Sequence, residues 1–223
     1  MATQDPFAIR LTPELLLDAY AHGIFPMAES ASSPDLFWVD PDERGIIPLE
    51  KFHISKSLRK KMKRNPFDVR VNSDFLGVIS ACAAKRADSD ETWINDEIID
   101  LYHNLHKAGH CHTVEIWDSG SLVGGLYGIA LGGAFFGESM FHRATDASKI
   151  ALAHLVERLK FGGFSLLDTQ FVTDHLRSLG AIEIPRALYH QKLRHALRLD
   201  ADFHRFDGGG TSEDCLQSTS QIS

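Results

Sequence analysis

HTVEIWDSGSLVGGLYGIALGGAFFGESMFHRATDASKIALAHLVERLKFGGFSLLDTQFV, residues 112–172, is the stretch that decides the fold. Its first half reads as a meander: 112–117 form a strand, Asp118, Ser119 and Gly120 a turn, and 121–130 and 133–141 two further strands. The middle strand is rich in glycine, so something must approach its backbone closely. Asp146 opens a helix that Gly162 and Gly163 end, and 164–172 is then a mostly apolar strand of the kind buried on both faces. A meander, a helix and a buried strand define an α/β (α+β) protein.

Outward from this stretch, Thr12, Pro13 and Glu14 supply a cap, a first-turn proline and a first-turn acid, and Gly23 stands where that helix should stop. Prolines at 26, 34, 41 and 48 break up the stretch from 24 to 49. Residues 1–51 are therefore expected to form a small N-terminal domain, and 52–206 a larger one. Ser55 can cap a basic helix, 68–71 alternate as a strand, and a helix is expected over about 74–84. Asn95 caps another, whose Ile98, Leu101, Tyr102 and Leu105 keep the spacing of one buried face up to Gly109. Helices around 173–180 and 185–197 finish the fold, and 207–223, with few apolar residues, reads as a disordered tail.

The 223 residues are 43% hydrophobic, enough to bury a core, and the net charge is −7. That charge excludes non-specific coating of nucleic acid, although a local basic patch remains open to it. Lys56, Arg59, Lys60, Lys61, Lys63 and Arg64 form such a patch, which taken alone reads first as a solvated helix face. Cys82, Cys111 and Cys215 are odd in number and far apart, and the first residues lack the pattern of a signal peptide. Both features predict a cytoplasmic protein, and the longest uncharged stretch, 119–137, is too rich in glycine for a membrane span.

Asp168 and Gln170 share one face of an apolar strand, where they either satisfy loop backbone groups or line a site at the strand's end. Glu138 sits late in another strand, and two acids leaving sheet strands fit a cleft. Ser139 lacks the following glycine of a nucleophile elbow. His103, His106, His110, Cys111 and His112 lack standard zinc spacing, so no metal is expected. Trp38 and Trp93 lie in loop-like settings suited to stacking on a ring.

The series GIFPM (23–27), FWVDPDERG (37–45), FHIS (52–55), ETWIN (91–95), GHCHTVEIW (109–117), LVGGLYG, GESMFHR, ASKIAL, DTQF and SLGAIEIPR resembles the bacterial leucyl/phenylalanyl-tRNA–protein transferases from Leu11 to about Leu197. The resemblance implies transfer of Leu or Phe, and less well Met, from aminoacyl-tRNA to an N-terminal Arg or Lys of a protein, in the N-degron pathway and without cofactor or metal. It implies a larger domain like the GNAT acyltransferases with a mixed central sheet. It also implies Asp168, Gln170 and Glu138 as catalytic residues, and a side-chain pocket of Leu126, Phe135, Met140, Leu152, Leu155 and Leu167, with Trp93 near the terminal adenosine. Met27 stands where the family often has tryptophan, which leaves Trp38 as an alternative stacking partner. Thr169, replacing a more familiar cysteine, is expected to point to the opposite face of its strand. The basic run gains a purpose as a cradle for acceptor-stem phosphates.

Three rivals are weighed against this reading. A CoA-dependent acyltransferase would need a glycine-rich turn before the helix, where HRATDASK has none and carries an acid. A non-catalytic RNA-binding module leaves Glu138, Asp168 and Gln170 without a purpose. A peptidoglycan-building aminoacyl-tRNA transferase would differ in its lipid-linked acceptor.

Overall fold

The computed structural model describes residues 11–28, 36–64, 67–84 and 94–206. Trp93 and the expected tail at 207–223 lie outside the described residues. Helix α1 (Pro13–Ala21) begins where Thr12 accepts the Leu15 N–H at 3.2 Å, and the chain leaves it through Gly23 at φ 82°. Strands β1 (Phe25–Ala28) and β2 (Leu36–Val39) pair as a separate two-stranded sheet. Next come β3 (Glu43–Ile46), α2 (Lys56–Lys63), β4 (Asp68–Val71), α3 (Phe75–Ala83) and α4 (Asp96–Lys107). Ser55, Asp74 and Asn95 cap the three helices through their side chains, as short polar residues do when they satisfy a free first-turn amide.

The meander comes next as β5 (Cys111–Asp118), β6 (Ser121–Leu131) and β7 (Ala134–His142). Ser119 and Gly120, both at positive φ, make the turn between the first two strands. Then come α5 (Ala147–Phe161), β8 (Leu166–Gln170), α6 (Asp174–Arg177), β9 (Ile182–Pro185) and α7 (Arg186–Ala196). The large sheet has seven strands in the order β4-β5-β6-β7-β8-β3-β9. Its pairs are antiparallel except β7 with β8, which run parallel because α5 carries the chain back between them.

Residues 43–46 precede the domain division expected at 51, yet β3 lies inside this sheet between β8 and β9. Strand β9 is not readable from sequence, since IEIP is short and ends in proline. Two apolar layers cover the sheet. One contains α5, almost wholly buried, with Leu126, Leu152, Leu155 and Leu167; the other contains Tyr20, Val78, Tyr102, Tyr127 and Phe136. Among the described residues no helix is long and apolar enough to cross a membrane.

The close neighbours of glycine-rich β6 are the protein's own parts. A Cβ at Gly124 would stand 2.5 Å from that of Ala147 at the head of α5, and one at Gly128 would stand 2.3 Å from the Phe136 carbonyl oxygen. Backbone cannot yield to that extent, so Gly128→Ala should lower stability by about 1–3 kcal/mol, the usual cost of overpacking, read as a drop in the urea midpoint at unchanged slope.

Candidate active site

The site begins where two parallel strands part company. β7 and β8 pair at Ala134 with Leu166, Phe135 with Leu167 and Phe136 with Asp168, and no further. Each strand then carries one residue too many for its other neighbour. Tyr127 pairs with Ser139 and Gly128 with Gly137, which leaves Glu138 as the extra residue of a bulge. Gly45 pairs with Gln170 and Ile46 with Asp168, which leaves Thr169 extra, and Gln170 itself turns to φ 56°. A cleft of about 1050 Å³ opens in the gap, and its walls come from both layers, Ala81 and Ala84 on one side of the sheet and Leu152 and Leu155 on the other.

Glu138 reaches into this cleft with both carboxylate oxygens held. The Tyr20 hydroxyl donates to Oε1 at 2.7 Å and the Tyr102 hydroxyl to Oε2 at 2.9 Å. Burial disfavours its charge more than the two phenols favour it, and Asp168 adds repulsion that Arg44 partly offsets, so its pKa rises to about 7. Burial and the same acid push both tyrosines well above their ordinary value. They remain hydroxyl donors.

Asp168 lies behind the cleft wall, fully buried, in a saturated network. Arg44 donates through Nε to Oδ1 at 3.0 Å and through Nη2 to Oδ2 at 2.6 Å; Tyr189 donates to Oδ2 at 2.7 Å, and the Gln170 backbone N–H to Oδ1 at 2.8 Å. The Arg44 guanidinium is sandwiched between the Phe25 and Tyr189 rings, each centroid 4.4 Å away, and its Nη1 donates to the Gly23 carbonyl at 2.9 Å. Burial works against its charge, but Asp168 outweighs that and holds the guanidinium above its usual range. The bulge at Thr169 breaks the alternation that would put Asp168 and Gln170 on one face. Gln170 therefore lines the cleft while Asp168 does not, and Thr169, expected to point away, lines it too.

Four buried polar atoms among the cleft-lining residues have no hydrogen-bond partner: Gln170 Nε2, Thr169 Oγ1, Tyr127 Oη and His175 Nε2. Unmet donors and acceptors gathered in one concavity mark where a ligand's polar atoms go. Of the expected apolar pocket, Leu126, Met140, Leu152, Leu155 and Leu167 line the cleft. Phe135 is fully buried behind it, stacked on Phe203 at 5.6 Å. Met27 and Trp38 sit in the β1–β2 hairpin outside the lining, with Trp38 exposed.

On α2, Leu58 and Met62 are buried and turn Lys56, Lys60, Lys63 and Arg64 outward, while Arg59 and Lys61 are half-buried. The histidines near Cys111 are packed individually. His106 stacks on Phe75 and bonds the Cys111 carbonyl at 2.8 Å, and His112 stacks on Phe203, where burial pulls its pKa down to about 3. Among the described residues no group of three or more His, Cys, Asp or Glu side chains could hold a metal ion. Sequence reasoning missed Arg44, Tyr189, Tyr20 and Tyr102 as parts of the site. An arginine followed directly by a glycine and two isoleucines was a usable signal for the first; the tyrosines read as ordinary helix-face residues.

A cleft that is apolar in part and lined by an acid whose pKa burial raises to about 7, beside an unpaired side-chain amide, has the features of an enzyme's active site. The comparisons narrow the class. The family model for leucyl/phenylalanyl-tRNA protein transferase matches residues 46–194, and that for the N-terminal domain of the same proteins matches 10–42. Proteins described as leucyl/phenylalanyl-tRNA–protein transferase are 59% identical over 91% of both chains in Rhodopseudomonas palustris strain HaA2, and 56% identical in Rhodospirillum rubrum over 87% of this chain and 92% of that one. Among solved structures, L-PGS from Bacillus licheniformis aligns at 12% identity over 69% of this chain and 56% of that one, with TM-score 0.41, a likeness too distant to carry an argument. The chain belongs to the leucyl/phenylalanyl-tRNA–protein transferase family.

A carboxyl group whose pKa is raised by folding contributes stability that is complete below its unfolded value and lost as pH rises through the folded one. For Glu138 the window runs from about 4.5 to about 7. Stability of the wild type should fall across that window relative to Glu138→Gln, as read from urea midpoints at successive pH; parallel curves would show that Glu138 is not buried as described.

Proposed function

We propose that Glu138 and Gln170 carry the transfer of Leu or Phe, and less readily Met, from aminoacyl-tRNA to the N-terminal Arg or Lys of acceptor proteins in the N-degron pathway. The observation that carries the reading is a single cleft that joins an apolar wall to an acid of pKa about 7 and an unpaired buried amide. The donor's side chain lies against Leu126, Met140, Leu152, Leu155 and Leu167. Burying Leu or Phe there gains roughly 1.5–3 kcal/mol, and a polar side chain would be stranded without partners. Such a pocket resolves a methylene by only about 10 to 200-fold, so Met leaks through.

The reaction is aminolysis of an ester, which needs position, a neutral amine and donors for the charge that grows on the carbonyl oxygen. Gln170 Nε2 is a free donor for that oxygen. The acceptor's α-amino group titrates near 7.7–8.0, and Glu138, titrating at about 7, is matched to hold the ammonium and take its proton. Asp168 is in this reading an orienting group, because its oxygens are occupied by Arg44, Tyr189 and the Gln170 backbone N–H. It fixes the strained turn that aims Gln170 into the cleft. Neither metal nor nucleotide is needed, and the donor, a product of the translation machinery, implies work in the cytoplasm.

A GNAT-like catalytic sheet is supported by the parallel β7–β8 pair that α5 joins and that opens at the cleft. The family boundaries favour a division between residues 42 and 46, which leaves a short leading unit, and the pairing of β3 with β8 and β9 favours counting it with the catalytic one. The outward cations of α2 suit the phosphates of the acceptor stem, and the exposed ring of Trp38 offers a stacking surface for the terminal adenosine.

The test is mass spectrometry of a peptide beginning with Arg, incubated with the enzyme and Leu-tRNA or Phe-tRNA, beside an Ala-initial peptide and an acetyl-CoA reaction. One leucine or phenylalanine added to the Arg peptide alone is the expected result; acetylation instead would sink the reading. In the same assay Gln170→Ala should lower kcat by about 10²–10³, the usual loss of one oxyanion donor, with KM for aminoacyl-tRNA little changed.

A further inference from the structure

Besides its apolar wall, the cleft is lined by His142, Arg143, Ser148 and His175, a group the transfer chemistry leaves unused. His142 and Arg143 are exposed at the end of β7, and Lys149 is about a third exposed on the first turn of α5. His175, from α6, faces this group: burial, then the Lys149 and His142 charges, hold its imidazole below its ordinary value. Its Nε2 is buried without a partner. The acid among these residues, Asp146, is bridged by Lys149 at 3.2 Å and by Lys61 at 3.6 Å, so its charge is offset twice.

Lys61 belongs to α2 and also donates to the Thr145 carbonyl. The basic helix is thus tied through Lys61 to the segment between β7 and α5, where Lys149 shares the same acid and Arg143 lines the cleft. One Arg143 nitrogen donates to the Leu122 carbonyl at 3.0 Å, which fixes the guanidinium while the side chain stays open to solvent. A track of cations from a protein surface into a cleft is the form taken by sites that follow a single-stranded nucleic-acid backbone.

We propose that this rim, Arg143 and Lys149 with His142 and His175, carries the last phosphates of the donor tRNA's single-stranded 3′ end, leading it from α2 into the cleft. The inference rests on the transferase reading and adds the route by which its donor arrives. Phosphate contacts position a backbone rather than read its bases, so the rim should be indifferent to which tRNA is charged.

The test compares two donors that carry the same amino acid, phenylalanyl-tRNA and phenylalanyl-adenosine, which has the ester but no phosphate. In Arg143→Ala/Lys149→Ala the ratio of kcat/KM for the tRNA to that for the adenosine ester should fall about tenfold at moderate salt. The slope of log kcat/KM for the tRNA against log salt should flatten by roughly 0.7 for each contact removed. A ratio that stays constant, or one that falls with no change of slope, overturns the rim while leaving the transferase intact. Wild-type enzyme that uses neither donor would mean that the transferase reading fails first and the rim falls with it.

Discussion

The buried ion pair of Arg44 and Asp168 is the contact on which the rest of the molecule depends. Two charges removed from water are expensive, and only good geometry and full hydrogen bonding make them tolerable. Both conditions hold: the guanidinium meets the carboxylate through two nitrogens, two aromatic rings enclose it, and Tyr189 and a backbone amide take the remaining carboxylate sites. The cluster ties the end of α1 through Gly23, the small hairpin through Phe25, the sheet through β3 and β8, and the closing helix through Tyr189. It sets the relation of the leading segment to the sheet and the turn that presents Gln170.

The two carboxyl groups of the site show how surroundings divide labour. Asp168 is surrounded by donors and a cation, which lock its carboxylate in place to orient its neighbours. Glu138 is buried, and although two phenols donate to it, burial raises its pKa to about 7, close to that of the amine that must lose a proton. The strands create this difference. They are parallel and closely paired up to Phe136 and Asp168, and beyond that point a bulge in each one turns a single residue out of register. A regular sheet would have left both acids on the same face.

Much of this was legible before any coordinates. The meander, its turn, the central helix and the apolar strand at 166–170 follow from alternation, from glycines placed past helix ends and from side chains able to cap, all of which are local forces. Glu138, Asp168 and Gln170 stood out because polar residues on apolar strands need partners. The partners were not legible: Tyr20 and Tyr102 lie on helices whose spacing marks them only as buried, and Arg44 lies 124 residues from its carboxylate. The bulges were hidden as well, because pairing between distant strands, rather than composition, decides which residue is extra. That is why Thr169 was expected on the wrong side. Phe135 was expected in the pocket only through the family resemblance, and here it is fully buried behind the cleft, stacked on Phe203.

The position of β3 has a consequence for how the chain is made. Its neighbours in the sheet are β8 and β9, so residues 43–46 emerge from the ribosome long before either partner exists. At roughly 5–20 residues per second, the wait is on the order of ten seconds. During it the Arg44 side chain stays hydrated and the strand edge open, and the meander and α5 can form without them. The leading segment is therefore made first and set in place late, and a nascent chain cut short before β8 would lack Asp168 and have a sheet with nothing to hold its beginning.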